Sequence, residues 1–224
     1  MHSTKDNLEV LFEDNHLLIV NKKSGDIVQG DKTGDTPLSE KVKEYIKHKY
    51  NKPGNVFIGT VHRLDRPVTG VIVFAKTSKA LTRLNKMFQD KQMQKTYWAL
   101  CNQAPKIHTQ KLSHYLVKDT KKNKTKAHLR EVPNGKKSEL IYTYLKKHKL
   151  KNLIEVKPLT GRPHQIRVQL SSMGCSILGD LKYGASKPNP DKSICLHARN
   201  IEFIHPVSKE IVDVTAPLPI HNWK

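Results

Sequence analysis

The sequence predicts an α+β protein, with a mixed, largely antiparallel central sheet and flanking helices. Short runs rich in β-branched residues recur between turns along most of the chain, which favours strands. Helical spacing of apolar residues is confined to three segments. No repeat, low-complexity linker or step in composition divides the 224 residues, so we expect one domain over 1–224.

The first 50 residues predict two strands and a helix. Residues 8–28 (LEVLFEDNHLLIVNKKSGDIV) contain two strand-like runs on either side of a turn at 13–15. Thr36 is the predicted helix cap, and Pro37 suits the first helical position. The helix carries one apolar stripe, formed by Leu38, Val42, Tyr45 and Ile46.

The middle of the chain predicts three more strands and a second helix. Residues 56–61, 70–76 and 94–101 are apolar or β-branched runs, typical of strands. Ser78 is the predicted cap of the helix. Its shared apolar face is formed by Leu81, Leu84, Met87 and Phe88.

The second half begins with a charge-rich segment. Residues 118–137 predict an exposed hairpin with its turn at 133–135. Residues 160–174 predict a turn and a short helix that ends at Gly174. Further strands are predicted at 138–147, 153–159, 194–206 and 210–217.

The charge balance indicates the class of partner. Forty Lys and Arg residues against twenty Asp and Glu give a net charge of +20, which favours nucleic acid, although a solubilising lysine-rich surface is the alternative. The three cysteines have no CxxC spacing, so we expect buried thiols rather than a zinc site or disulfides. The acidic N-terminus is not a signal peptide and no apolar run could span a membrane. The expected location is the cytoplasm.

The segment TVHRLDRPVTG offers a candidate carboxylate. If 61–65 is extended, Arg63 and Asp65 point to one face. A carboxylate beside a guanidinium stays ionised, so Asp65 could act as a nucleophile or a general base. A structural Arg–Asp pair is the alternative. His62 is by default a hydrogen-bonded structural histidine.

The segment TGRPHQIR concentrates polar groups at the start of a helix. They are Arg162, His164, Gln165 and Arg167. If Ile166 and Leu170 anchor the helix, Arg167 can reach inward, where a buried guanidinium needs an anion such as Asp65. The alternative is phosphate binding at the helix N-terminus. Both can hold if one arginine pairs with the carboxylate and the other binds phosphate.

The segment KTYWAL places two aromatic residues on opposite faces of a strand. We expect one of Tyr97 and Trp98 in the core, while the other could stack on a base. Packing of both rings within the protein is the alternative.

Four motifs in this order resemble the RluA-type family of RNA pseudouridine synthases: HRLD before an apolar strand, K-T-Y-x-A-L, L-T-G-R-x-H-Q-I-R, and G-D-x-x-Y-G. The tail L-H-A-x-x-I-x-F-x-H-P is similar to the end of that family's domain. The resemblance runs from about residue 8 to residue 217. It implies a pseudouridine-synthase-like catalytic domain that uses no cofactor and no metal.

The resemblance also implies an activity and a site. Uridine in structured RNA, ribosomal RNA first and transfer RNA second, would be detached, turned and rejoined to its sugar through carbon. Asp65 would be the catalytic carboxylate, Arg167 its ion-pair partner and Tyr97 the residue that stacks on the base. Arg63 would help to fill the gap left by the flipped nucleotide. Further RNA contacts are expected from His62, Arg66, Arg162, His164 and Gln165.

Some positions depart from the family pattern. Val68 replaces a hydroxyl residue, and Gln169 stands where histidine is frequent. Many members of the family carry an N-terminal S4-like RNA-binding domain, and we expect none here. Segment 118–137 is therefore the first candidate for holding RNA, with a solvated hairpin as the alternative. We expect a monomer.

Two rival functions remain open. One is a non-catalytic RNA-binding protein that retains the fold. The other is a phosphodiester-cleaving enzyme that uses His62 or His164, although no carboxylate cluster with metal-ligand spacing supports it.

Overall fold

The computed structural model describes residues 2–31, 33–149, 151–219 and 222–223. These residues form two compact units. The first comprises Met1–Lys95 and Ala198–Pro219, and the second Thr96–His197 and Ile220–Lys224. The expectation of a single domain over 1–224 stays a prediction, and each unit is described by itself.

The described strands are β1 (Val10–Glu13), β2 (Leu17–Lys22), β3 (Gly59–Thr60), β4 (Thr69–Ala75), β5 (Gln94–Cys101), β6 (Thr109–Asp119), β7 (Lys124–His128), β8 (Lys136–His148), β9 (Lys151–Pro158), β10 (Leu196–Ile204) and β11 (Ile211–Thr215). The described helices are α1 (Leu38–Lys49), α2 (Ser78–Gln89) and α3 (Gln165–Ser172), followed by a 3₁₀ turn at Leu181–Tyr183.

The sheet of the first unit follows the order β1-β2-β4-β10, with β3 beside β4 and β11 beside β10. The pairs β1–β2, β2–β4, β3–β4 and β10–β11 are antiparallel. Every residue of β4 is buried, which explains its unbroken apolar sequence. Val71, Val73 and Ala75 pack in one cluster with Ala80 and Leu84 of α2.

The helix starts differ by one position from the predictions. Helix α1 begins at Leu38 with Pro37 as its cap residue, so the predicted cap at Thr36 is wrong. Helix α2 is capped by Thr77, whose hydroxyl accepts a hydrogen bond from the Ala80 N–H, and not by Ser78. Both Thr and Ser can cap a helix, so composition alone could not choose between neighbours. The strand predicted at 56–61 is reduced to β3.

The second unit contains an antiparallel sheet in the order β5-β9-β8-β6-β7. Helix α3 contributes Val168 to a small apolar cluster with Leu116 and Tyr183, and Ala127 packs against it. Helix α3 ends before Gly174, which adopts a φ of +83° as the predicted helix end requires.

The charge-rich segment reverses direction earlier than predicted. Strands β6 and β7 form the hairpin, and the chain turns at 120–123. The Asp119 carboxylate accepts from the Lys122 N–H, and Asn123 adopts a φ of +43°, both of which favour a turn there. The turn at 133–135 lies instead between β7 and β8.

All three cysteines are buried and unpaired, as predicted. Among the described residues, no helix has the length and apolar character needed to cross a membrane.

Candidate functional site

The HRLD motif lies in the loop 61–68 between β3 and β4 of the first unit. Leu64 and Val68 are buried and fasten the loop to the core. The Val68 N–H donates to the Asp65 carbonyl oxygen at 3.0 Å, which closes a turn. Arg63 is exposed and Asp65 is half-buried. The loop therefore turns its apolar residues inward and presents Arg63 outward.

A buried lysine, which was not predicted as a site residue, anchors this loop. Lys22 is only 1% exposed, and its Nζ donates to the carbonyl oxygens of Lys23, Arg66 and Val68 at 3.0, 3.0 and 2.7 Å. Burial lowers the pKa of Lys22 to about 7, while the negative charges of Asp26 and Asp65 oppose that shift. The Asp65 carboxylate thus lies within electrostatic reach of Lys22.

His62 has a structural role in the described contacts. Its Nε2 accepts from the Val73 backbone N–H at 3.0 Å, and its ring stacks on Phe88 with centroids 4.9 Å apart. Burial, and to a lesser extent the nearby Lys95 charge, lowers the pKa of His62 to about 3. The imidazole is therefore neutral near pH 7 and supplies no positive charge for RNA. Its contact with RNA stays a prediction.

Arg66 forms an ion pair at the protein surface. Its Nη2 donates to the Asp35 carboxylate and, at 2.9 Å, to the Thr33 hydroxyl. The guanidinium lowers the pKa of Asp35. The structure therefore gives Arg66 a protein partner, and its contact with phosphate stays a prediction.

Gly70 follows the loop and fits a position that other residues cannot occupy. Its φ is +113°, and a Cβ built there would lie 2.2 Å from the Ala198 carbonyl oxygen. Only glycine permits this approach of β4 to the neighbouring strand.

In the second unit, Tyr97 and Trp98 lie on β5, opposite Val156 and Glu155 of β9. Both aromatic residues are half-buried, whereas one of them was expected in the core. The structure leaves base stacking by Tyr97 a prediction.

Arg167 is buried on α3 and forms a two-pronged ion pair with Asp180. Its Nε donates to Asp180 Oδ2 at 2.7 Å, and its Nη2 donates to Oδ1 at 2.8 Å. The two residues are 6% and 1% exposed. Asp180, which belongs to the motif G-D-x-x-Y-G, thus supplies a buried anion for Arg167, a role that was predicted for Asp65. The Asp65–Arg167 pair stays a prediction.

Gln165 fixes the turn that leads into α3. Its Oε1 accepts from the Thr160 hydroxyl at 2.8 Å and from the Arg162 N–H at 3.0 Å. Its Nε2 donates to the Glu139 carbonyl oxygen at 2.9 Å. These contacts and its burial give Gln165 a structural role, and its contact with RNA stays a prediction. Arg162, by contrast, is exposed.

His164 precedes α3 in a left-handed backbone conformation. Its φ is +56°, and its Nδ1 lies 2.8 Å from the Tyr183 hydroxyl. Like Asp180, Tyr183 belongs to the motif G-D-x-x-Y-G, and no role was predicted for it from the sequence.

Comparison with known proteins identifies the family. Residues 16–172 match the family described as RNA pseudouridylate synthase. A "Ribosomal large subunit pseudouridine synthase C" from Buchnera aphidicola is 36% identical over 98% of this chain and 70% of its own length. One of the same name from Vibrio cholerae is 34% identical over 95% and 66%. A "Ribosomal large subunit pseudouridine synthase D" from Zymomonas mobilis is 34% identical over 95% and 69%. The chain spans about two thirds of the length of these relatives.

Two solved structures share the fold. "Human RNA Pseudouridylate Synthase Domain Containing 4" aligns with a TM-score of 0.79 and 24% identity over 95% of this chain and 89% of its own. "Human RNA Pseudouridylate Synthase Domain Containing 1" aligns with a TM-score of 0.76 and 23% identity over 98% and 86%. They confirm the predicted α+β fold with its mixed sheet. The chain belongs to the RNA pseudouridylate synthase family and is an isomerase that acts on uridine in RNA.

Proposed function

We propose that this chain converts uridines of ribosomal RNA to pseudouridine, with Asp65 as the reacting carboxylate and without a cofactor. The choice of ribosomal RNA rests on the names of the curated relatives, which are large-subunit ribosomal pseudouridine synthases. Transfer RNA is the second candidate. In the reaction the C1′–N1 bond breaks, the base turns, and a C1′–C5 bond forms while the C5 proton is lost and N1 gains one. The reaction involves no net oxidation or reduction, so protein side chains can supply the acid, base and nucleophile that it needs.

The observation that carries the proposal is the way the loop 61–68 is held. Lys22 and the core residues Leu64 and Val68 fix its backbone, and the half-buried Asp65 lies within reach of the Lys22 charge. A carboxylate on a fixed backbone can approach a reacting sugar or base with little further loss of freedom. This is the property that a nucleophile or general base requires.

The other site residues have proposed roles that agree with their chemistry. Arg167, whose guanidinium donates to Asp180 at two points, is the proposed ion-pair partner of Asp65. Tyr97 would stack on the target base. The exposed Arg63 would fill the gap that the flipped nucleotide leaves in the RNA.

The hairpin end 118–126, called the basic hairpin below, is the proposed RNA-binding surface. Its exposed lysines are Lys118, Lys121, Lys122, Lys124 and Lys126. Phosphate neutralisation by lysines gives affinity that falls steeply with salt. We therefore expect RNA binding to weaken as salt rises, and neutralising these lysines to reduce that dependence.

Comparison of two aspartate variants tests the assignment. Wild type, Asp65→Asn and Asp35→Asn are incubated with large-subunit ribosomal RNA transcript, and pseudouridine is mapped chemically. We expect wild type and the surface variant Asp35→Asn to form pseudouridine and Asp65→Asn to form none. Equal activity of Asp65→Asn would refute the catalytic role. RNA binding without pseudouridine in any sample would favour a non-catalytic RNA-binding protein, and shortened RNA would favour phosphodiester cleavage.

A second experiment identifies the substrate. Pseudouridine is mapped site by site in ribosomal and transfer RNA from cells with and without the gene. We expect the lost sites to lie in ribosomal RNA, and loss confined to transfer RNA would contradict that part of the proposal. We also expect the protein to be cytoplasmic, which cell fractionation can check. We expect a monomer, which sedimentation of the purified protein can check.

A further inference from the structure

We infer that Tyr183 is a positioning residue for the isomerisation, because it ties the helix that carries Arg167 to the basic hairpin. This inference rests on the proposed function. The residues that carry it all belong to the second unit.

The Tyr183 hydroxyl joins two separate segments. The backbone N–H of Thr125, on β7 of the basic hairpin, donates to it at 2.8 Å. On its other side, Nδ1 of His164 lies 2.8 Å away, at the start of α3. A phenol hydroxyl can accept and donate at once, so one oxygen atom can satisfy both neighbours. Tyr183 is only 4% exposed, and water therefore cannot readily replace these bonds.

The Tyr183 ring also supports the ion pair of Arg167. The Arg167 guanidinium carbon lies 5.0 Å from the ring centroid, within the range of a cation–π contact. The Asp180 carbonyl oxygen accepts from the Tyr183 N–H at 3.0 Å, so the residue that binds the guanidinium is also fixed to the ring's own backbone. Tyr183 thus touches both members of the buried ion pair.

Further contacts connect the basic hairpin to the same region. The Thr125 hydroxyl donates to the Pro163 carbonyl oxygen at 3.1 Å, and the Lys182 ammonium donates to the Asn123 carbonyl oxygen at 2.8 Å. The Lys124 ammonium lies 5.7 Å from the Tyr183 ring centroid. A displacement of the hairpin by bound phosphates would therefore be transmitted to the start of α3.

The backbone of His164 indicates that this arrangement is imposed by its surroundings. A φ of +56° is uncommon for a residue other than glycine and persists where neighbouring contacts determine it. Here the conformation places the imidazole against the Tyr183 hydroxyl, with the rings edge to face. A helix held only by apolar packing would not need this conformation.

The test removes one oxygen atom and measures chemistry separately from binding. Tyr183→Phe keeps the ring and loses the hydroxyl. Tyr144→Phe is the matched control, because its hydroxyl donates to Asn152 in the same unit at 3.4 Å. With the ribosomal RNA transcript, we expect Tyr183→Phe to lower the single-turnover rate roughly tenfold, since small misplacements of a catalytic group are costly. The RNA Kd should change less than about twofold, because no phosphate contact is removed.

A double-mutant cycle separates positioning from general structural support. If Tyr183 acts through Arg167, then Tyr183→Phe should reduce the rate less than about twofold in an Arg167→Lys background. The inference would be overturned if Tyr183→Phe lowered the single-turnover rate as much in the Arg167→Lys background as in wild type. It would also be overturned if Tyr144→Phe lowered the rate as much as Tyr183→Phe. A wild-type rate in Tyr183→Phe would contradict it too. These results are distinct from failure of the proposed function, which would appear as an inactive wild type or an active Asp65→Asn.

Discussion

The loop 61–68 and the helix α3 are held in different ways. The loop is held through its backbone, because Lys22 binds the carbonyl oxygens of Arg66 and Val68. Arg167 of α3 is held through its own side chain, because Asp180 binds the guanidinium at two points. Anchoring through the backbone does not use the side chains of Arg63 and Asp65. Anchoring through the side chain makes Arg167 important for folding as well as for any catalytic role.

The difference predicts which substitutions separate activity from stability. Substitution of Arg63 or Asp65 leaves the backbone anchor and the buried Leu64 and Val68 in place, so these variants should fold normally. A change at Arg167 should reduce stability even where no RNA is present.

The largest effect is expected for Arg167→Ala. It leaves Asp180 as a buried carboxylate without its described cation, which should lower the free energy of unfolding by about 3–5 kcal/mol. Urea unfolding followed by circular dichroism measures this loss.

A paired variant serves as the control for that prediction. Arg167→Met combined with Asp180→Leu removes both charges, so it should recover most of the stability, since a buried ion pair is often replaceable by apolar residues. The double variant should remain inactive on RNA. A stable Arg167→Ala protein would mean that Asp180 does not depend on this arginine.

A smaller effect is expected for Lys22→Met, which keeps the length of the side chain but removes its donors. In this variant the Arg66 carbonyl oxygen still accepts a hydrogen bond from the Gly25 N–H. The carbonyl oxygens that lose the Lys22 donor without this replacement are those of Val68 and Lys23. We expect a loss of about 2 kcal/mol in the free energy of unfolding, since each unsatisfied buried group costs roughly 1–3 kcal/mol. Activity should fall further than stability explains, because the backbone beside Asp65 moves.

The pH dependence of the Lys22 contribution has a definite sign. The pKa of Lys22 is about 7 in the folded protein and 10.5 without burial, so between these values the unfolded chain holds more protons. Stability of wild type relative to Lys22→Met should therefore rise from pH 7 to pH 10. Lys43→Met, which removes a half-buried lysine paired with Glu40, is the matched control. A difference that stays flat or falls with pH would contradict the assignment.

The sequence predicted most strands and all three helices because their apolar patterns are strong and local. It also identified the motifs that carry the candidate site. It could not identify Lys22 as a buried anchor, because a lysine at the end of a strand is usually exposed and only the tertiary fold brings the three carbonyl oxygens to its Nζ.

Two further residues illustrate the same limit. Asp180 lies 13 positions from Arg167, and local spacing gave no reason to prefer it over Asp65 as the partner of a buried guanidinium. Gln169, which departs from the family pattern, contacts His114, a residue 55 positions earlier in the chain. Its Nε2 lies 3.0 Å from Nδ1 of His114 and donates to the Ser138 carbonyl oxygen at 3.2 Å. Such long-range pairs follow from the fold and not from periodicity.

The smallest effect on stability is expected for Arg66→Gln, which separates the loop's side chains from its anchor most directly. The Arg66 carbonyl oxygen still binds Lys22, while the surface contacts of the guanidinium with Asp35 and Thr33 are lost. Urea unfolding should therefore match wild type within error, since exposed ion pairs contribute little. If Arg66 also contacts a phosphate, the slope of log affinity against log salt should fall by about 1. We expect that reduction in filter-binding titrations with ribosomal RNA, together with unchanged stability. An unfolding midpoint clearly below that of wild type would show that the loop depends on its side chains after all, and an unchanged slope would exclude Arg66 from the RNA interface.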